Sequence, residues 1–465
     1  MNPVFQPVRV LSEAIRARRL SPVALTETFL ERLERLGPRY NAVVTVTRER
    51  ALGQARRAET EIAAGRWRGP LHGMPYGAKD LLAAAGAPTT WGAAPLRTQT
   101  FDTDATVIQR LEEAGAVLVA KLAMVELAGG MGYRQPNASF TGPGISPWGD
   151  DAWSGGSSSG SGSAVAAGLV PFAIGSETWG SILSPAAYCG VSGLRPTYGR
   201  VSRHGAMALC WTLDKLGPLA LTADDCGLVL QAIAGPDPLD PSAAERPFTY
   251  DARDPAGRRF RFGVLRNVAD GAEPAVRAAF ARSLDTLVKI GTVEEITLPD
   301  LPYDAIARTI LFAEAASAFE DMIESGAITQ LTAPEDHYTP YARDALLAKD
   351  YVKALRLRGV VMREADRVLA RLDALVAPGR PATAPPLQGE FRSQHRPALD
   401  PMGAIGNMAG LPAIAVPNGF SEAGLPTSLQ FMGRAWEDDT VLAAARAWQG
   451  VTDWHQRHPA WGPSR

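Results

Sequence analysis

In SPVALTETFLERLERLG (21–37), Leu25, Phe29, Leu33 and Leu36 recur at intervals of three and four residues. That spacing sets all four on one face of a helix. Ser21 is placed to cap this helix, and Pro22 suits its first turn. A second helix is expected from about Glu49 to Ala64. The stretch DATVIQRLEEAGAVLVAKL (104–122) predicts a helix, a glycine turn and the short strand AVLVAKL. SAVAAGLVPFAIG (163–175) predicts a short helix of small residues and then a strand. RFGVL (261–265), a helix near 273–289 and TVEEITLP (292–299) form a strand–helix–strand unit. LDALVAP and LPAIAVP read as buried strands that end in proline. Strands alternating with helices predict an α/β protein whose sheet is packed on both faces. Residues 131–163 instead read as loop, rich in Gly, Ser, Pro and Trp. A loop of that length in a compact chain is usually functional when it is ordered.

Composition narrows the picture by exclusion. The 465 residues are 46% hydrophobic and 21% charged, with a net charge of −2, the balance of an ordinary folded protein. Such a charge offers no general attraction for nucleic acid or an anionic membrane, so neither is expected as a partner. Cys189, Cys210 and Cys226 are too few and too scattered for a disulfide framework. No apolar run is long enough to cross a membrane, and a cytoplasmic setting is expected. The six histidines, His72, His204, His337, His395, His455 and His458, form no HExxH or similar ligand pair. No metal or other cofactor is expected.

The chemistry concentrates in GGSSSGSGSAVAAGLVPFAIGSETWGS (155–181). A flexible linker would not be flanked by ordered α/β segments. A phosphate cradle needs a lysine or a third glycine that 155–165 lacks. GSSSG (156–160) has the form of a nucleophile elbow around Ser158, but no buried strand leads into it. What remains is a serine activated by something other than histidine.

With that requirement the sequence resembles the amidase signature family. The resemblance starts at GMPYGAKD (73–80) and continues through 155–202. It returns at GPL (217–219), LVAPGRPATAPP (375–386) and NMAGLPAIAVPNGF (407–420), spanning nearly the whole chain. It implies one domain over 1–465: N-terminal helices about 8–65, a catalytic core about 66–230, and a C-terminal α/β part about 255–465 with a helical lid around 303–360. The implied fold is a large mixed, mostly central β-sheet covered by helices on both faces. The implied catalytic residues are Lys79, Ser157 and Ser181, with a cis peptide at Gly156–Ser157. Ser181 is the implied nucleophile, Ser157 the proton relay and Lys79 the base. The backbone N–H groups of Thr178, Trp179, Gly180 and Ser181 would hold the oxyanion. Met131, Gly132, Tyr133, Ser158 and Trp179 are the implied substrate neighbours. Lysine can act as a base only when neutral, so Lys79 must be buried enough to lose its proton near neutral pH.

The sequence also departs from the family. Many members read DTGGSIRxPA where this chain has ETWGSILSPA (177–186). The usual Asp–Arg pair is therefore missing at 177 and 183, and Glu177 needs another partner or solvent. Trp179 beside the nucleophile, with Trp91, Tyr133, Trp148, Trp153 and Trp211 in nearby loops, suggests a pocket for an apolar or aromatic group. The resulting expectation is a serine amidohydrolase that cleaves amide or carbamate (urethane) C–N bonds of small molecules, with esterase side activity. It would act as a monomer or homodimer, through an acyl-enzyme on Ser181. The alternative is an amidotransferase of the A type, which feeds ammonia to a partner working on tRNA. The changes at 177, 179 and 183 argue against that alternative.

Overall fold

The structure is a computed structural model that describes residues 2–252, 258–391 and 400–459. His395 lies outside the described residues. The first amphipathic segment forms the helix Pro22–Leu36, with Ser21 Oγ accepting from the Ala24 N–H at 3.1 Å. Leu25, Phe29 and Leu33 are buried as their spacing requires, while Leu36 in the last turn is half-buried. The second helix runs Arg48–Ala63.

Eleven strands make one sheet: β1 (Val43–Val46), β2 (Pro75–Lys79), β3 (Val117–Leu122), β4 (Phe172–Glu177), β5 (Ser192–Arg195), β6 (Lys215–Ala220), β7 (Phe260–Leu265), β8 (Gly291–Ile296), β9 (Ala374–Pro378), β10 (Ala413–Phe420) and β11 (Pro426–Met432). Their spatial order is β1-β3-β2-β4-β6-β5-β10-β11-β9-β7-β8. Neighbours run parallel in β3–β2–β4 and in β9–β7–β8, and antiparallel elsewhere. The sheet is thus mixed. Successive side chains of a strand point to opposite faces. Every residue of β2, β3, β4 and β6 is buried, so helices must cover both sides of the centre.

Two boundaries differ from the reading of the sequence. LPAIAVP does not end its strand: β10 runs on to Phe420, with a register shift between Pro417 and Gly419. A bulge of this kind accommodates a residue that cannot donate to the ladder. β8 stops at Ile296, short of Pro299, and is an edge strand with Thr292, Glu294 and Glu295 facing solvent.

The long loop after Glu126–Gly129 has no regular element until the helix Ser159–Ala166, yet much of it is buried. A helical segment packs over it: Tyr303–Ala318, Glu320–Glu324, three short turns up to Ala345, and the long helix Ala348–Leu369. Glu126 accepts from the N–H groups of Thr332 and Ala333, at 2.9 and 2.8 Å. Glu335 accepts from the backbone of Arg134 and the side chain of Gln135. These bonds tie the helical segment to residues 126–135. All three cysteines are free and buried. Among the described residues, no group of side chains could hold a metal ion, and no helix is long and apolar enough to cross a membrane.

Candidate active site

Lys79 is the last residue of β2, whose parallel neighbour β4 ends at Glu177. The turn leaving β4 carries residues 178–182 into the helix Leu183–Cys189. The peptide bond Gly156–Ser157 is cis. Lys79 Nζ lies 2.7 Å from Ser157 Oγ and 2.8 Å from Ser176 Oγ. The Ser158 N–H donates to the Ser181 carbonyl at 3.2 Å, so the two serine loops are joined beside the lysine. Among the described residues no hydrogen bond links the hydroxyls of Ser157 and Ser181. Ser181 lines a cavity. The N–H groups of residues 178–181 also donate to no protein acceptor among the described residues.

Ser158, read as a substrate neighbour, turns inward. Its hydroxyl donates to the Ser176 carbonyl and accepts from the Ser176 N–H, both at 3.2 Å. That pair of bonds clamps the 157–158 turn onto β4. Ser176 itself escaped the sequence reading. The register that pairs Ala78 with Ile174 carries it level with the end of β2, and parallel register leaves no mark in a single sequence.

Burial draws the Lys79 ammonium down to about 7, against the opposing attraction of the Asp214 and Glu177 carboxylates. The lysine has no solvent exposure, and removing a cation from water favours its neutral form. Asp80, next in sequence, faces elsewhere: it pairs with Lys121 at 2.9 Å and accepts from the Thr90 N–H. Asp214 accepts from the Thr178 hydroxyl and from the N–H groups of Leu209 and Cys210. It thereby fixes the first residue of the turn that carries Ser181.

Glu177 does have a partner. Arg195 on β5 meets it at 2.8 Å with both side chains fully buried. Its other oxygen accepts from the N–H groups of Ile182 and Leu183, at 2.9 and 3.0 Å. Burial opposes its charge, but Arg195, Lys215 and these amides hold it below the usual carboxylate range. The ion pair missing from 177/183 is present as 177/195, supplied by a different strand.

A cavity of about 630 Å³ opens over Ser181. Thr178, Trp179, Gly180, Tyr133 and Trp153 line it. Met131 does not, since its side chain is buried in the main core, and neither do Gly132 and Ser158. Tyr188, Phe312 and Phe391 add aromatic rings to its wall, while three of the tryptophans read as near it lie elsewhere. Trp91 stacks on Phe101, and Trp148 packs on Phe420 and donates to the Cys189 carbonyl. Trp211 is 66% exposed. The cavity wall also carries Arg308, Arg343, Arg380, Asp304 and Asp400. All five come from the C-terminal half of the chain; Arg380 lies in LVAPGRPATAPP and the other four in none of the motifs, and the sequence reading gave none of them a role in the site. Trp179 is part of this charged wall: Arg308 lies over its ring at 5.3 Å, and its indole N–H approaches Asp400 at 3.4 Å.

A lysine and serines meeting at the end of a parallel strand pair, in a mixed sheet of this order, define an amide-cleaving class of site. The chain belongs to the amidase family, whose model, described as Amidase, matches residues 24–442. It is 38% identical to the A subunit of the Glutamyl-tRNA(Gln) amidotransferase of Moorella thermoacetica, over 99% of this chain and 100% of that protein. Further relatives, 34–36% identical, carry the same name. Among solved structures it is similar to one described as "An unexpected vestigial protein complex reveals the evolutionary origins of an s-triazine catabolic enzyme". The TM-score is 0.88 at 32% identity, covering 96% of this chain and 98% of that one. The native peptide amidase of Stenotrophomonas maltophilia matches with TM-score 0.83 at 31% identity, covering 96% of both chains.

These relatives correct two expectations. The expectation of a free-standing hydrolase of small apolar or aromatic amides and urethanes is not supported by them, because they carry the name of the alternative, an amidotransferase of the A type. The expectation of a small-molecule substrate, no nucleic acid and a monomer or homodimer falls with it, because the relatives are named as subunits of a glutamyl-tRNA amidotransferase. The three sequence changes and the charge that spoke against this alternative have physical answers. Arg195 replaces the lost arginine, Trp179 lies in a charged wall, and a net charge of −2 excludes no tRNA held by a partner protein.

Proposed function

We propose that this chain is the A-type component of a tRNA-dependent amidotransferase, which breaks the C–N bond of an amide donor and passes the ammonia to a partner. The observation that carries the reading is end-to-end similarity to relatives of that name. A cavity with both cations and anions on its wall suits a polar, charged donor and supports the same reading.

In this mechanism neutral Lys79 accepts the proton of the Ser157 hydroxyl while Ser157 takes that of Ser181. Ser181 Oγ attacks the donor carbonyl carbon, and the new oxyanion is held by the N–H groups of residues 178–181. The tetrahedral intermediate collapses with loss of ammonia, whose added proton returns along the same relay. Water, deprotonated in turn by the relay, attacks the acyl-Ser181 ester and releases the acid. Asp214 positions the oxyanion turn through Thr178. The test is purification of the tagged chain from its own cells, followed by assay for conversion of glutamyl-tRNA to glutaminyl-tRNA. A co-eluting partner and tRNA-dependent product are expected. A lone chain that releases ammonia at full rate and never amidates glutamyl-tRNA would reject the proposal.

A further inference from the structure

Tyr133 stands on the wall of the cavity over Ser181. Two other rings, Trp153 and Phe391, meet it edge-on with centroids 6.3 and 5.7 Å away. Packing of that kind fixes where the phenol oxygen points. The oxygen itself has no hydrogen-bond partner among the described residues. The hydroxyls of Tyr250, Tyr303 and Tyr351, by contrast, each donate to a protein oxygen, at 2.8, 2.8 and 2.9 Å. A phenol fixed beside a cavity without a partner of its own is open to a ligand.

Gly156 shows what that oxygen faces. A Cβ on Gly156 would lie 3.1 Å from the Tyr133 oxygen, and 2.8 and 2.9 Å from Val125 and Trp153. The lack of a side chain at 156 therefore lets the phenol approach the backbone just before Ser157. Gly156 lines the same cavity. In the proposed mechanism Ser157 returns a proton to the nitrogen that departs. That nitrogen must come within hydrogen-bond reach of Ser157, and so toward the Tyr133 hydroxyl beside it. Burial pushes the phenol above its ordinary range, although Arg380 pulls the other way. It therefore keeps its proton at neutral pH, and its oxygen can both donate and accept.

We propose that the Tyr133 hydroxyl accepts a hydrogen bond from the N–H of the amide under attack, and so favours amides over esters of the same acid. An amide nitrogen brings an N–H to the phenol, whereas an ester oxygen brings none and leaves it unpaired. The two serines and the oxyanion amides act on both substrates alike. The inference deepens the proposed amide-cleaving role and rests on Ser157 serving the departing group.

The test compares succinamate with monomethyl succinate, two probes that release the same acid, on the full-length protein purified with any partner it holds. Tyr133→Phe removes one oxygen and keeps the ring that packs on Trp153 and Phe391. It should lower the ratio of kcat/KM for the amide over the ester about 5- to 10-fold, the scale of one lost hydrogen bond. In Ser181→Ala protein, where turnover plays no part, the same change should weaken binding of the amide about fivefold more than binding of the ester. An unchanged ratio, or equal losses on both probes, would overturn the role of the hydroxyl. Ser181→Ala protein that still releases succinate would instead reject the acyl-enzyme mechanism, so the two failures are distinguishable.

Discussion

At the scale of single residues, the chemistry turns on whether an amine can be uncharged at neutral pH. Burial brings Lys79 to about 7. A base must be deprotonated to act, so kcat/KM for amide cleavage should rise with pH through an ascending limb centred near 7. Below that limb it should fall about tenfold per unit. A limb near 10, the range of an exposed lysine, would contradict this. Lys79→Met should lower kcat by about 10³-fold or more, as loss of a base acting as a unit with its nucleophile does. Ser176 holds the second hydrogen bond of the amine. Ser176→Ala should lower kcat about tenfold by loosening the lysine, with KM little changed, and steady-state rates on one donor separate the two parameters.

At the scale of elements, the pair Glu177–Arg195 joins the end of β4 to β5 and pins the start of the helix Leu183–Cys189. Arg195→Met leaves a fully buried carboxylate without its cation, and should cost about 3–5 kcal/mol in denaturant unfolding. The double variant Glu177→Gln with Arg195→Met should lose clearly less, since no lone charge then remains. At the N-terminal helix, Ser21→Ala should cost about 1 kcal/mol by removing the cap on the Ala24 N–H. Elements of this kind were readable in the chain. The three-and-four spacing of Leu25, Phe29 and Leu33 and the cap at Ser21 are local patterns, and they define that helix to within a residue. The spacing of Lys79, Ser157 and Ser181 was likewise visible in motifs. Contacts set by sheet register were not. Ser176 beside Lys79, Arg195 on Glu177 and Arg380 beside Gly180 join residues 97, 18 and 200 positions apart, respectively, across strands whose order no local pattern reveals. Two tryptophans were misplaced for the same reason: proximity in sequence put Trp91 and Trp148 near the site, and packing against Phe101 and Phe420 took them away.

At the scale of the whole molecule, the sheet order accounts for how distant segments meet at one cavity. β2, β4 and β6 lie side by side and deliver Lys79, the turn that carries Ser181, and Asp214. The helical segment 303–345 and the strand β9 bring Arg308, Arg343 and Arg380 from the C-terminal half. Under the proposed function, a net charge of −2 is no obstacle, because one component need not carry the charge that a complex uses to hold tRNA.

The most direct test of the central claim separates the supply of ammonia from its use. The native complex and its Ser181→Ala form are each assayed for glutaminyl-tRNA formation, with an amide donor or with ammonium chloride as the nitrogen source. The account predicts that Ser181→Ala abolishes the donor-dependent reaction and leaves the ammonium-dependent one intact. Donor-dependent product persisting without the Ser181 hydroxyl would contradict it.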